Sequence, residues 1–198
     1  MLPTIRGVID RRILVNFRVE PNALDEVLPD PFSPQAVNGY GIGGICLIRF
    51  RDLRPRGVPP QLGVGSENAA HRIAVEWTEA GETRTGVYVP RRDTNSTFNT
   101  LLGGRLFPGV HHRASFEVQE SGDRYDISMT SEDDETHVQV TGERADSLPS
   151  DTVFDSLSTA SSFFEQGSLG HSPNEYTDEY EAIELDTFEW DVTPLAVE

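Results

Sequence analysis

The sequence predicts one α+β domain, spanning residues 1–198, that is mostly antiparallel β-sheet with about three helices. Many segments alternate apolar and polar residues and are separated by polar or glycine-containing turns, which is typical of antiparallel strands. A few segments instead carry apolar residues at helical spacing between a start and a stop signal. No internal repeat, low-complexity run or linker divides the chain, so the pattern favours a single domain.

The segments predicted as strands are, in chain order, 11–19, 40–50, 71–77, 83–89, three between 111 and 143, and the tail from 181 to 197. Residues 40–50 are apolar on both faces, which indicates a buried strand, and their glycines leave room for a close approach to the backbone. A glycine turn between 77 and 83 predicts a hairpin. Residues 51–66 are predicted to form a loop.

Three helices are predicted. The first begins at Pro21, a favoured first helical residue, and places Val27 on its apolar face. The second covers 94–104 and ends at a glycine pair. The third covers 150–167, with Ser150 as its N-terminal cap and a glycine as its stop.

Composition restricts the class of protein. Cys46 is the single cysteine, which excludes an intramolecular disulfide and a cluster of thiolate metal ligands. The longest run of apolar residues and glycines, 39–48, is about half the length of a membrane span. The N-terminus has no apolar stretch typical of a secretory signal. We therefore expect a cytoplasmic protein with no membrane partner.

The charge is large and uneven. The net charge is −17, and all 16 basic residues other than histidine are arginines. An acidic, lysine-free surface is typical of a halophilic cytoplasm, where molar salt shortens the screening length to ~3 Å. The same salt argues against nucleic acid as a partner. Residues 1–114 hold 11 acids and 14 arginines, whereas residues 115–198 hold 22 acids and 2 arginines. The arginines of the first part predict either structural ion pairs or an anionic ligand.

Five residues are candidates for chemistry on their own pattern. His111 and His112 begin a predicted strand, where neighbours point to opposite faces, so the pair does not favour a shared metal ion. One of them is a candidate acid–base group, and the alternative is two ordinary residues at a strand edge. Glu67 lies in a glycine–serine turn, Arg91 follows a strand end, and His171 lies on a loop. The alternatives are a solvated carboxylate for Glu67, an ion pair for Arg91 and simple exposure for His171.

The order of several segments also resembles a known family. The segments are RRILVNFRVEPNALDEVLPDPFSP, GVGSENAAHRIAVEW, GVYVPRRD, GGRLFPGVHH and ASSFFEQGSLGHSP. Over nearly the whole chain they resemble the YqjF-like proteins of unknown function, within the acetoacetate decarboxylase-like superfamily. The resemblance implies a mostly antiparallel β-barrel or cone, flanked by a few helices, with a pocket in its mouth.

The resemblance breaks at the catalytic motif of that superfamily. Acetoacetate decarboxylases carry a motif close to G-R-E-x4-P-K-K, whose first lysine forms a Schiff base with the substrate ketone. This chain has Gly104, Arg105 and Leu106 at the start of the motif, and His111 and His112 where the lysines would stand. With no lysine anywhere in the sequence, the covalent mechanism has no side-chain amine to use.

Further pocket residues are implied by the resemblance. Glu67 falls close to a pocket carboxylate of the superfamily, and an active-site arginine aligns with Arg11 or Arg12, with the choice left open. Another glutamate of the superfamily would align near Gly43 and is absent. The position of the pocket is therefore expected to persist without the reaction. No cofactor is implied.

Two functions remain open. In the first, the protein is an enzyme that acts without covalent catalysis on a small oxo- or carboxylate-bearing metabolite, with Glu67 and one histidine as acid–base groups and Arg105 or Arg11 as the anion anchor. In the second, it binds or senses a small apolar or aromatic molecule. The second is favoured by the glycines of 41–44 and by four aromatic residues, Phe98, Phe107, Phe163 and Phe164. Both have a small-molecule partner, and a homo-oligomer is compatible with either. A structural or partner-binding role is the remaining alternative.

Overall fold

The computed structural model of the chain describes residues 4–96, 109–174, 177 and 179–197. Most of them lie in strands: β1 (Ile5–Val19), β2 (Ser33–Pro34), β3 (Ala36–Val37), β4 (Tyr40–Pro55), β5 (Val64–Glu79), β6 (Glu82–Thr94), β7 (His111–Ser121), β8 (Arg124–Ser131), β9 (His137–Arg144), β10 (Leu169–Pro173), β11 (Tyr180–Glu184) and β12 (Leu195–Val197). The helices are α1 (Pro21–Asp25), a 3₁₀ turn (Pro60–Leu62) and α2 (Leu157–Gln166).

The strands form a sheet whose main path is β1-β4-β5-β6-β7-β8-β9-β12. Neighbours on this path are antiparallel except β6 and β7, and β10 also pairs with β6 in parallel. The predicted β-rich, mostly antiparallel architecture is therefore confirmed. The path does not close on itself among the described residues, so the barrel or cone implied by the resemblance is not confirmed.

The hairpin and the meander follow the sequence prediction. β5 and β6 meet at Ala80 and Gly81, whose φ angles of 52° and 85° are those of a tight hairpin turn. β7, β8 and β9 form the predicted antiparallel meander. The predicted loop at 51–66 is wrong at both ends. β5 already begins at Val64, which pairs with Leu53, and β4 continues to Pro55 by pairing with the first residues of β1. That partner is remote in sequence and leaves no local signal.

Two predicted helices are shorter than expected. Val27 lies beyond the end of α1 and is 62% exposed, so it is not on a buried face. Helix α2 is capped by Ser156, whose hydroxyl accepts from the Thr159 N–H at 3.1 Å, and the prediction of Ser150 as the cap is wrong. The segment before the cap instead forms turns that carry Phe154 into a core cluster beneath α2. The predicted helix 94–104 lies mostly outside the described residues.

The chain from 185 to 194 is not the predicted strand. It is held by side chains: the Trp190 indole N–H donates to the Ser161 hydroxyl of α2 at 2.9 Å, and the guanidinium of Arg12 lies 5.1 Å from the Trp190 ring centroid. None of the described helices is long and apolar enough to cross a membrane.

Strand alternation gives the sheet of β1, β4, β5 and β6 two different faces. We call the first the inner face: it carries Ile13, Leu47 and Ala69 and packs against β7–β9 through a core that includes Ile127 and Met129. We call the second the helix face, because it carries residues such as Ile42 and is covered by α2 and by residues 185–194. Gly44 of β4 allows the close pairing of β4 with β1, since a side chain there would collide with the Val15 carbonyl of β1.

Candidate anion-binding site

The sequence-predicted site residues are divided between the two faces. Glu67, Arg11 and Arg91 lie on the inner face, as does His112, which is level with Asp93 on the neighbouring strand. Arg12 lies on the helix face, and His111 lies there too, level with Arg92. The two histidines thus point to opposite faces. Arg105 lies outside the described residues, together with Phe98 and Phe107.

Glu67 is held in an ion-pair network at one end of the inner face. Its Oε2 accepts from Arg11 Nη2 at 2.5 Å and its Oε1 accepts from Arg49 Nε at 2.6 Å. Glu120 of β7 joins the network by accepting from Arg11 Nη1 at 2.5 Å and from Arg49 Nη1 at 3.2 Å. Two carboxylates and two guanidinium groups therefore neutralise one another.

Pairing shifts the pKa values of Glu120 and Arg49 in this network. Burial raises the pKa of Glu120, but hydrogen bonds from Arg11 and Arg49 outweigh burial and hold the pKa below its usual value. Burial likewise opposes the charged form of Arg49, and the bonds to Glu67 and Glu120 nevertheless raise its pKa. Each carboxylate oxygen of Glu67 accepts a hydrogen bond from a guanidinium group.

A second network occupies the other end of the inner face. The Asp93 carboxylate is completely buried and contacts Arg91 Nη2 at 2.9 Å and His71 Nε2 at 2.9 Å. Arg91 also pairs with Asp133 at 2.9 Å, and His112 Nδ1 lies 2.8 Å from the same carboxylate. His112 and Arg91 are thus brought together by an acid of the β8–β9 turn.

The partners of Asp93 and Asp133 in this second network lower the pKa of both carboxyl groups. Burial raises the pKa of Asp93, but hydrogen bonds from His71 and Arg91 lower it below its usual value overall. The hydroxyl of Ser131, the backbone N–H of Glu135 and the guanidinium of Arg91 hold the pKa of Asp133 well below its usual range.

The sequence predicts His171 on a loop, and this is wrong, because His171 lies in a strand and in an aromatic cluster. It belongs to β10, and its ring centroid lies 4.8 Å from that of Trp77 and 5.2 Å from that of Phe32. Burial lowers the pKa of His171, which favours the neutral imidazole. Its Nε2 is buried without a hydrogen-bond partner in the described part of the chain.

The helix face carries arginines around Cys46. Arg12 Nε lies 3.3 Å from the Cys46 sulfur, and Arg92 Nη2 donates to the Ser172 hydroxyl at 3.1 Å. Burial lowers the pKa of Arg92 to about 10. These two arginines thus contact the sulfur of Cys46 and the hydroxyl of Ser172.

Arg72 is the most unusual residue of the helix face. It is 8% exposed, its Nη2 donates to Asn16 Oδ1 at 2.5 Å, and its guanidinium lies 5.0 Å from the ring centroid of Phe164. Its Nε is buried with no hydrogen-bond partner among the described residues. Burial lowers its pKa; the nearby sulfur of Cys46 opposes this shift, and the positive charge of Arg12 adds to it. No ion pair joins it to a carboxylate within the described ranges.

A small cavity adjoins the Arg72 side chain. Its volume is about 10 Å³, which is room for about one water molecule. Its lining consists of Asn16, Gln35, Ile42, Gly43, Arg72, Ala74, Gly86, Val87, Phe163, Phe164 and Gly167. The cavity thus touches the predicted glycine strand through Gly43. Glu67, His111 and His112 are not part of this lining.

Sequence reasoning missed several residues of these sites. Arg72 was the one with a signal, since it is a charged residue between Ala70 and Ala74 on the same face of β5. Arg49 and Asp133 carried none, because their partners come from other strands. In the described part of the chain, no group of three histidine, cysteine, aspartate or glutamate side chains is arranged to hold a metal ion.

Solved structures show which fold the chain has. An acetoacetate decarboxylase from Legionella pneumophila subsp. pneumophila str. Philadelphia 1 has a TM-score of 0.63 at 14% identity, with 99% of this chain and 73% of that chain covered. An acetoacetate decarboxylase-like enzyme from Sphingomonas wittichii RW1 has a TM-score of 0.57 at 12% identity, with 94% and 76% covered. The enduracididine biosynthesis enzyme MppR, complexed with pyruvate, has a TM-score of 0.51 at 10% identity, with 94% and 81% covered. The chain has an acetoacetate decarboxylase-like fold.

The family is shown by sequence. Residues 9–177 match DUF2071, described as an uncharacterized conserved protein (COG2071), and the chain therefore belongs to this family. No curated protein matches the sequence.

Proposed function

We propose that this protein binds a small carboxylate- or oxo-bearing metabolite on its helix face without forming a covalent bond to it. The observation that carries the proposal is Arg72, a buried guanidinium that lines a cavity and has no carboxylate partner among the described residues. A buried charge needs a counter-charge, and a carboxylate matches the geometry of a guanidinium.

Non-covalent binding is supported by the sequence. An amine is required for a Schiff base with a ketone, and the chain contains no lysine. The resemblance places His111 and His112 at the position of the decarboxylase lysines, and an imidazole does not form an imine with a ketone.

Binding is favoured over acid–base catalysis by the pairing on the inner face. Glu67, the candidate base, accepts from two arginines. His112 contacts Asp133 in the second network. Neither residue lines the cavity beside Arg72, so these groups are better explained as structural ion pairs than as a catalytic pair.

The size of the cavity sets a condition on binding. About 10 Å³ is too small for a carboxylate, so we expect the ligand to displace Phe163 and Phe164 and thereby to move α2. Both rings also pack on Phe154, at centroid distances of 5.3 and 5.4 Å, so this movement would be transmitted to the segment before α2.

Isothermal titration calorimetry with pyruvate, acetoacetate and benzoate tests the proposal. We expect binding of at least one of these acids, no binding of its methyl ester, and loss of binding in Arg72→Met. Arg84→Met is the matched control, because Arg84 is an exposed arginine of β6 that pairs only with surface acids among the described residues. Equal affinity for acid and ester, or unchanged affinity in Arg72→Met, would contradict the proposal.

A further inference from the structure

We propose that the cavity beside Arg72 is a halide site, which chloride occupies in the folded protein before any metabolite binds. The inference rests on the charge of Arg72 and on the size and lining of the cavity. It does not depend on the proposed function, although both use the same arginine.

The charge of the site calls for an anion. Arg72 is withdrawn from solvent, and its Nε lacks a hydrogen-bond acceptor in the described structure. The Asn16 side chain does not take this role: its carbonyl oxygen accepts from Arg72 Nη2 and its amide donates to the Leu14 carbonyl, and Arg72 Nε is left without an acceptor among the described residues. Arg12 adds a second positive charge nearby.

The size of the site selects the kind of anion. A cavity of about 10 Å³ holds one particle of about the size of a water molecule. Phosphate, sulfate and carboxylates exceed it. Chloride is only slightly larger than water and fits with small adjustments of the surrounding side chains.

The lining favours a halide over water. A buried water makes two to four hydrogen bonds. Around this cavity, the polar side chains apart from Arg72 are Asn16 and Gln35; most of the other side chains are apolar, as in Ile42 and Val87. A halide needs only donors and neutralises the charge, whereas a water molecule would leave the guanidinium without a counter-ion.

Urea unfolding of the full chain at constant potassium concentration tests the inference. Chloride replaces methanesulfonate so that ionic strength stays fixed. Methanesulfonate exceeds the empty cavity, and equal responses of the wild type and Arg72→Met to methanesulfonate without chloride check that it does not enter by the ring displacement expected for carboxylates. Above its dissociation constant, each tenfold increase in chloride should raise the folded-to-unfolded ratio of the wild type about tenfold. Arg72→Met should show no such dependence, and Arg84→Met should behave as the wild type.

Two results would overturn the halide site: a wild type that is indifferent to chloride at fixed ionic strength, or a chloride dependence that persists in Arg72→Met. If Arg72→Met does not fold, crystals of the wild type grown in potassium bromide decide the matter. Anomalous scattering should show bromide within hydrogen-bond distance of Arg72 Nε, and its absence there would end the proposal. No carboxylate is present in these measurements, so failure of the halide site and failure of metabolite binding are separate outcomes.

Discussion

Arg72→Met and Arg91→Met remove the same charge from adjacent strands, yet we expect them to change the free energy of unfolding very differently. Both side chains are largely buried, since Arg72 is 8% exposed and the Arg91 side chain 14%. Their partners differ. Arg91 pairs with the completely buried Asp93 carboxylate, whereas no carboxylate pairs with Arg72 in the described structure.

The magnitudes follow from these partners. In Arg91→Met, Asp93 keeps His71 as a hydrogen-bond partner among the described residues, and breaking a buried ion pair costs about 3–5 kcal/mol. In Arg72→Met, the lost hydrogen bond to Asn16 and the lost contact with Phe164 are worth about 1–3 kcal/mol. The same change removes a desolvation penalty of several kcal/mol. We therefore expect Arg72→Met to lie within about 1 kcal/mol of the wild type, or to be more stable.

The assay is urea unfolding in molar potassium methanesulfonate with little chloride, followed by the fluorescence of Trp77 and Trp190. Arg84→Met reports the effect of removing an exposed arginine and should change the unfolding free energy by less than about 1 kcal/mol. Equal losses of stability in Arg72→Met and Arg91→Met would refute the reasoning, because Arg72 would then have a structural counter-charge and no need of a ligand.

Three further predictions concern pH, covalent chemistry and salt. Burial opposes the effect, but partners such as His71 and Arg11 lower the pKa of Asp93 and Glu120. The stability these carboxylates contribute is therefore present above about pH 4 and should be lost as the pH falls through their folded pKa values; an unfolding free energy that stays flat from pH 5 to pH 2 would contradict this. Borohydride treatment with acetoacetate or pyruvate should give no adduct except at the N-terminal amine, because the chain has no lysine, and an adduct mapped inside the chain by mass spectrometry would overturn the expectation. Molar potassium methanesulfonate should raise the unfolding midpoint, because residues 115–198 carry 22 acids and 2 arginines; a midpoint equal to that in dilute buffer would remove the halophile interpretation.

Most of the fold could be predicted from local pattern. The β5–β6 hairpin and the β7–β9 meander depend on alternation and on turn residues that are close in sequence. The errors fall where distant parts of the chain decide. β4 extends to Pro55 because β1 pairs with it, and α2 begins at Leu157 because Phe154 packs beneath the helix.

The excess of arginine in the first part of the chain had two interpretations, structural ion pairs or an anionic ligand, and the described residues show structural ion pairs. Arg11 pairs with Glu120, and Arg91 pairs with Asp133, so acids from the second part of the chain neutralise arginines of the first. Arg72 has no such partner among the described residues. Structural pairing therefore accounts for Arg11 and Arg91 but not for Arg72.

By itself, the sequence determined what chemistry is available: no lysine for an imine, one cysteine, and a polarised charge distribution. Only the tertiary structure decided which arginines are neutralised. Arg11 lies 56 residues from Glu67 and 109 residues from Glu120 in the chain, and the pairing arises because β-sheet register brings these side chains onto one face. Arg72 follows Glu67 by five positions on the same strand, and because side chains alternate it points away from those acids, into the cavity beneath α2.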